Sequence, residues 1–183
     1  MADFYYLMSS LPILKPNHPV PMSTERFMEI CDSHLTDKQT TELEAVSFIP
    51  SDEHASDKDS APGAWNIFET CLRNRIITAR TGKNSDASKF MRHEEDFFSV
   101  IDRGVQEAFS RENPLEREKR LDTVRLQFLD DLEGKYRFDF NALCVYKLKL
   151  MLFEKENRWD HQHGLSNFDA VITAAATVNS DKN

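Results

Sequence analysis

Apolar side chains recur at helical spacing in one segment after another of this chain. The clearest run follows Asn113, and its apolar positions share one face of a helix: Leu121, Val124, Phe128, Leu129 and Leu132. Only five of the 183 residues are glycine, whereas many-turned β-sandwiches and barrels draw on glycine for their turns. The pattern therefore predicts an all-α protein, a helical bundle of about seven or eight helices arranged as one body or as two packed halves.

Four helix starts are predicted from residues that cap exposed backbone amides. Ser23 and Asp139 each precede an apolar stripe, and Thr36 with Gln39 three residues later fits a capping box. The strongest signal is Asn113–Pro114, because Asn accepts from amides of the first turn and Pro loses no hydrogen bond at the first helical position. We expect a helix directly after each of these signals.

Other boundaries are less determined. Residues 4–14 are apolar, but the segment is too short for periodicity to distinguish a buried strand from a helix. A helix carrying Phe90 on its apolar face is expected from Ser85, with a kink or break near Arg92–His93. Gly134 is expected to end the helix with the strongest start signal.

Composition shifts along the chain predict its division into segments. Residues 1–49 form an N-terminal helical segment, and residues 50–63 are polar, charged and bracketed by prolines, which predicts a flexible acidic loop. The main helical bundle is expected over residues 64–178, with its last helix near residues 166–178. Residues 179–183 are expected to form a frayed tail.

Charge and cysteine content bound the cellular setting. The formal net charge of −8 disfavours nucleic acid as a partner, because phosphate binding needs clustered Lys and Arg. The start carries no basic segment ahead of an apolar run, and no stretch approaches the length of apolar residues that spans a membrane, so a cytoplasmic protein is expected. Cys31, Cys71 and Cys144 are odd in number and far apart, which predicts buried thiols.

Catalytic and metal-binding patterns are weak. His93 and Glu94 begin a cluster that resembles a zinc-protease helix, but Phe97 stands where the second His is needed. His161 and His163 lie two residues apart, a spacing that does not share one helical face. We therefore expect no cofactor and no metal, and a small metal-dependent helical enzyme using these His and Glu side chains remains the alternative.

A cationic stretch is the most distinctive surface feature. Arg73, Arg75 and Arg80 follow one another in a predicted helix that begins near Trp65, with Glu69 as the nearest acidic residue. Such a stretch is often ordinary helix surface. It also suits a docking face for an acidic partner, because a guanidinium group recognises carboxylates through two parallel hydrogen bonds.

Several stretches resemble a family of bacterial proteins whose genes accompany those of V-type ATPase subunits. Near the start these are residues 5–12 and 21–23, then Phe27 and Cys31, followed by Trp65, residues 68–69 and residues 72–74. The most specific stretches are residues 113–122 (Asn-Pro-Leu-Glu-Arg-Glu-Lys-Arg-Leu-Asp) and 128–133 (Phe-Leu-Asp-Asp-Leu-Glu), followed by residues 138–139, Leu143 and residues 146–149. The likeness covers most of the chain in order.

That family in turn resembles a shortened version of the V-type ATPase C subunit (d in eukaryotes), which is a helical socket that sits on the membrane rotor ring and receives the central stalk. The resemblance implies a non-enzymatic structural or coupling component whose partners are central-stalk and rotor-ring subunits. It also implies a cytoplasmic position, peripheral on the inner face of the membrane through protein contacts. The resemblance transfers no site residue, and an unrelated helical regulatory or adaptor protein remains a further alternative.

Overall fold

The computed structural model describes residues 3–16, 18–50, 58–81, 87–92 and 98–159. Within these ranges the chain forms seven α-helices and no strand, which confirms the predicted all-α bundle: α1 (Asp3–Ser10), α2 (Thr24–Asp32), α3 (Asp37–Ala45), α4 (Ala61–Thr81), α5 (Ser99–Phe109), α6 (Pro114–Lys135) and α7 (Phe140–Asn157). A short 3-10 helix, Ala87–Phe90, lies between α4 and α5. None of the helices in the described part of the chain has the length and apolar character to cross a membrane.

The predicted caps are confirmed at four helix starts. The hydroxyl oxygen of Ser23 accepts from the amide of the third helical residue of α2, and Thr36 forms a complete capping box with Gln39 at the start of α3. Asn113 Oδ1 accepts from an α6 amide at 2.8 Å, and Asp139 Oδ1 from an α7 amide at 2.9 Å. These local side-chain contacts fix where α2, α3, α6 and α7 begin.

Several boundaries differ from expectation. Residues 3–10 are helical, so the short apolar segment is α1 rather than a strand. Helix α4 begins at Ala61, inside the loop expected over residues 50–63. Gly134 does not end α6, which continues to Lys135, because a helix that is already packed tolerates glycine in its last turn.

The helix expected from Ser85 is interrupted, in agreement with the break expected near Arg92–His93. The 3-10 helix ends at Phe90, residues 91–92 are not helical, and α5 begins only at Ser99. A break near residue 92 was expected, but Phe90 is exposed rather than part of an apolar stripe. Ser85 and His93, like the last helix expected over residues 166–178 and the tail 179–183, lie outside the described residues.

Helix α7 is the centre of the molecule. It packs against α1, α2, α3, α4 and α6, and its middle is buried around the whole circumference rather than along one stripe. Leu143, Cys144, Leu148 and Leu152 are fully enclosed. The middle of α7 is mostly apolar on every side and its few cations are paired, so it is stable in the interior with the remaining helices around it.

The polar side chains of α7 bind the ends of its neighbours. Lys147 Nζ donates to two carbonyl oxygens at the end of α3, those of Leu43 at 2.8 Å and Glu44 at 3.0 Å. Glu154 accepts from the backbone amide and the hydroxyl group of Thr24 at the start of α2, both at 2.7 Å. A cation at a helix C-terminus and a carboxylate at an N-terminus each satisfy orphan backbone groups and oppose the helix dipole.

Helices α4, α5 and α6 meet through aromatic rings and one very close approach. The rings of Phe68 and Phe128 stack with centroids 3.9 Å apart, and Phe98 meets both edge-on. Where α5 crosses α6, a Cβ atom on Gly104 would lie 2.3 Å from Cγ2 of Val124. Only glycine permits this approach, so Gly104 sets the distance between the two helices.

Candidate docking groove on helix α4

The predicted cationic stretch lies on α4, but its three arginines do not share one face. Arg73 and Arg80 are seven residues apart, two helical turns, and both line the same groove. Arg75 lies on another face, where its Nε donates to Asp102 Oδ1 of α5 at 3.0 Å. The structure therefore brings two of the three side chains together and uses the third at the α4–α5 contact.

The groove has a volume of about 320 Å³ and runs along the C-terminal half of α4. Its walls combine apolar and cationic side chains: Ile49, Pro50, Thr70, Arg73, Asn74, Ile76, Ile77, Arg80, Phe90 and Arg92. Ile49 is 66% exposed and Phe90 72% exposed, so the rim presents two large apolar side chains to solvent. Exposed apolar side chains grouped beside cations are characteristic of protein-binding surfaces.

A buried amide holds the far wall of the groove in place. Asn74 is 2% exposed, its Nδ2 donates to the carbonyl oxygen of Arg92 at 2.8 Å, and its Oδ1 accepts from the Arg92 amide at 3.1 Å. The Arg92 guanidinium in turn donates to the carbonyl oxygen of Pro50 at 2.7 Å. These contacts tie three segments, separated in sequence by up to 42 residues, into one wall.

Arg73 is anchored from behind by a buried carboxylate. Its Nε donates to Oε1 of Glu69 at 2.9 Å, and Glu69 is fully buried. The same carboxylate accepts two hydrogen bonds from Arg125 of α6, from Nε at 2.9 Å and Nη2 at 3.0 Å. The bidentate pair fixes the position of the Glu69 carboxylate inside the bundle, and Glu69 in turn limits where Arg73 can move.

The charge network continues from Arg125 to α7. Arg125 Nη1 lies 2.7 Å from Asp122 Oδ1, and Lys155 Nζ donates to the same oxygen at 2.8 Å and to Glu118 at 2.5 Å. Burial alone would lower the pKa of Arg125, but Glu69 and Asp122 outweigh it and raise that pKa. Three cations and three carboxylates therefore balance one another from Arg73 to Lys155.

Within this network, Asp122 is the carboxylate whose charged form is least well compensated for its burial. Burial raises its pKa, and the hydrogen bond from Lys155 and the charge of Arg125 only partly oppose that effect. Its Oδ2 is buried and makes no hydrogen bond to any residue that the structure describes. Removing a cation beside Asp122 would therefore leave a buried carboxylate poorly compensated.

The three cysteines are buried thiols, as predicted. Burial raises the pKa of the Cys31 and Cys144 thiols to about 12. Both therefore stay protonated at neutral pH, and a protonated thiol is a poor nucleophile and metal ligand.

The residues of the alternative metal site, namely His93, Glu94, His161 and His163, lie outside the described residues. Among residues 3–159 with their gaps, no three His, Cys, Asp or Glu side chains are grouped so that they would hold a metal ion. A larger cavity of about 800 Å³ lies between residues 16 and 18–20, α6 and the C-terminal end of α7, and its wall includes Trp159, the last residue described.

Sequence reasoning found Arg73 and Arg80 but missed the rest of the groove. Ile49, Phe90 and Arg92 come from segments on either side of α4; Asn74 binds the backbone of Arg92, and the Arg92 guanidinium binds the carbonyl oxygen next to Ile49. A buried Asn within an apolar stripe is the signal that sequence offered, since a buried amide needs partners.

Comparison with known proteins identifies one family. The match covers residues 82–177, just over half of the chain, and includes α5, α6 and α7 together with Phe90 and Arg92 of the groove. No curated protein matches the chain, and neither does any solved structure. The chain belongs to the family described as "Protein of unknown function (DUF2764)".

Proposed function

We propose that this chain is a non-catalytic structural or coupling component of a bacterial V-type ATPase, which binds a neighbouring subunit through the groove on α4. The proposal rests on the sequence resemblance to the family encoded with V-type ATPase subunits. The observation that carries its binding role is the exposure of Ile49 and Phe90 beside the guanidinium groups of Arg73 and Arg80. Apolar side chains and arginine together are the usual composition of interface centres.

A coupling component must pass a displacement from one contact to another without deforming. The residues that carry the resemblance have roles suited to such stiffness: Asn113 and Asp139 cap the two longest C-terminal helices, and Phe128 stacks on Phe68 of α4. Arg125 and Lys155 then bind α4, α6 and α7 to one another through buried carboxylates. A close-packed, cross-linked bundle of this kind moves as one body.

The proposed location follows from the same resemblance. The chain would lie in the cytoplasm at the inner face of the membrane, held there by central-stalk or rotor-ring subunits and not by a segment of its own. Its function would involve binding and force transmission, with no reaction catalysed by the chain.

The test is recovery of V-type ATPase subunits from native membranes with the tagged full-length chain, scored by mass spectrometry. The wild-type chain should recover central-stalk or rotor-ring subunits, and the double variant Arg80→Glu/Phe90→Ser should recover about tenfold less, since both changes fall in the groove. Reversal of Arg73 is avoided, because a carboxylate there would face the buried Glu69.

A matched control carries the same types of change on other exposed surfaces. Arg103→Glu/Tyr6→Ser alters charge and aromatic area equally, and both side chains are exposed outside the groove. Recovery with this control should equal that of the wild type. Absence of V-type ATPase subunits from the wild-type sample, or turnover of a small substrate by the purified chain, would contradict the proposed function.

A further inference from the structure

The groove on α4 has a charge opposite to that of the chain. The protein carries 31 acidic and 23 basic residues, for a net charge of −8. Among the residues that the structure describes, ten line the groove, and they include three arginines and no Asp or Glu. A locally cationic surface favours an anionic partner, because opposite charges attract.

Hydrogen-bonding capacity remains on two of these arginines. Arg73 uses its Nε for Glu69, and its two terminal nitrogens make no further hydrogen bond to any described residue. Arg80 forms no ion pair within the part of the chain that the structure describes, although it stands in the last turn of α4. Both side chains therefore keep donors for a carboxylate brought by a partner.

The spacing of the two arginines indicates more than one anionic group. Seven residues along α4 correspond to about 10.5 Å of rise, further than one carboxylate or phosphate group reaches. Ile77 lies between them on the same face, four residues after Arg73 and three before Arg80. Along two turns, this face of α4 therefore presents a cation, an apolar side chain and a second cation: Arg73, Ile77 and Arg80.

A helix that lies alongside α4 matches this face. Two Glu or Asp side chains at positions i and i+7 of a helix are separated by the same rise as Arg73 and Arg80. Apolar side chains at i+3 and i+4 of that helix would then contact Ile77, the exposed ring of Phe90 and the exposed side chain of Ile49. The partner helix could continue past both ends of the groove, because the rim of the groove is exposed.

We infer that the α4 groove binds an amphipathic helix of a partner protein, with acidic side chains at i and i+7 that pair with Arg73 and Arg80 and apolar side chains between them. The inference rests on the proposed binding role of the groove, but not on the partner's belonging to a V-type ATPase.

The experiment uses the full-length chain and a fluorescein-labelled synthetic helix with Glu at i and i+7 and Leu at i+3 and i+4. A second probe replaces both Glu by Lys and keeps the Leu. Anisotropy titrations should show the Glu probe binding at least about tenfold more tightly than the Lys probe, and the difference should shrink as salt is added. Equal affinity of the two probes, or no binding of either, overturns the inference.

Chain variants locate the binding. Arg80→Glu and Phe90→Ser should each weaken binding of the Glu probe by about tenfold. Arg103→Glu and Tyr6→Ser, exposed elsewhere, should leave it unchanged. Binding that survives both groove variants places the probe at another surface and contradicts the inference.

Two further measurements test for other occupants of the groove, namely a small anion and a second copy of this chain. Displacement of the Glu probe by inorganic phosphate at equal concentration would indicate a small-anion site in place of a helix site. Sedimentation that shows a dimer abolished by Arg80→Glu would indicate a second copy of this chain as the occupant. If the Glu probe binds as expected and native membranes yield no V-type ATPase component, the proposed function fails while the helix-binding inference stands.

Discussion

Helices α7 and α4 use the same kind of side chain in opposite ways. On α7, Lys147 and Lys149 are almost completely enclosed, and each ammonium group has two acceptors within 3.0 Å. On α4, Arg73 and Arg80 lie along an exposed groove, and Arg80 has no ion pair among the described residues. Cations that are paired inside the bundle stabilise the fold, whereas cations left with unused donors are available to a partner.

The two groups of cations differ in how deeply they are buried and not in the kind of residue that surrounds them in sequence. Both helices mix cations with apolar residues, and no local pattern distinguishes the lysines of α7 from the arginines of α4. The environment of each cation depends on what other helices bring to it. Substitutions in the two regions should therefore differ greatly in their effects on stability.

The largest effect is expected from Arg125→Ala on α6, because Arg125 is enclosed and paired like the lysines of α7. Removing the guanidinium group leaves buried Glu69 with Arg73 alone and buried Asp122 with Lys155 alone, a loss of about 3–5 kcal/mol in the free energy of unfolding. Urea denaturation followed by circular dichroism measures it. The exposed Arg103→Ala should change stability by less than about 0.5 kcal/mol, and equal effects of the two would refute the role of the network.

Gly104→Ala tests whether α5 and α6 are as tightly packed against each other as their contacts indicate. The new methyl group would lie within 2.3 Å of Val124, so the helices must separate, at a cost of about 3 kcal/mol. Gly134→Ala is the matched control, because nothing lies within 4 Å of its Cβ position. That control should stabilise α6 by up to about 1 kcal/mol, and a melting temperature that falls for both variants would contradict the packing argument.

Lys147→Met should cost about 2 kcal/mol, since it removes the charged donor from two carbonyl oxygens at the end of α3. The loss should be concentrated in α3, where amide hydrogen exchange would accelerate more than in α6. Lys38→Met, on the exposed face of α3, serves as the control. Uniform acceleration across all helices would argue against a local capping role.

The pH dependence of stability tests Glu118, at the edge of the buried network. Burial by itself would raise the pKa of Glu118, but Lys155 and Arg125 lower it below its ordinary value of 4.5. Glu118 therefore contributes stability above pH 4.5, and the contribution is lost as the pH falls through its lowered pKa in the folded state. The urea midpoint of the wild type should fall more steeply below pH 4.5 than that of Glu118→Gln. Parallel curves would disprove this contribution.

The smallest effect is expected from Arg80→Ala, on the groove side. Its free energy of unfolding should change by less than about 0.5 kcal/mol, because Arg80 is exposed and has no ion pair among the described residues. Differential scanning calorimetry measures the change. A loss as large as that of Lys147→Met would mean that Arg80 serves the fold, and the contrast between the two helices would disappear.

Local signals predicted much of the fold. Ser23, Thr36, Asn113 and Asp139 each mark a helix start, because a cap acts on amides only two or three residues away. The prediction that α6 ends at Gly134 was wrong for the same reason: it used a local signal and took no account of packing, and α6 continues to Lys135.

Long-range pairings were not predictable in the same way. Glu69 and Arg125 are 56 residues apart, and nothing near either residue specifies the other. Arg73 and Arg80 belong to the cationic stretch that local charge singled out, whereas the position of Arg92 beside them depends on the contacts of Asn74 across 18 residues. A surface built from several segments is visible only after the chain has folded.

The anchoring of the N-terminal helices on α7 determines when they can fold. Glu154 binds the start of α2 across 130 residues of sequence, and Lys147 binds the end of α3 across 104. During synthesis, α1, α2 and α3 therefore leave the ribosome about ten seconds before their anchoring helix exists. In that interval the apolar faces that α7 covers in the folded protein are exposed on the nascent chain.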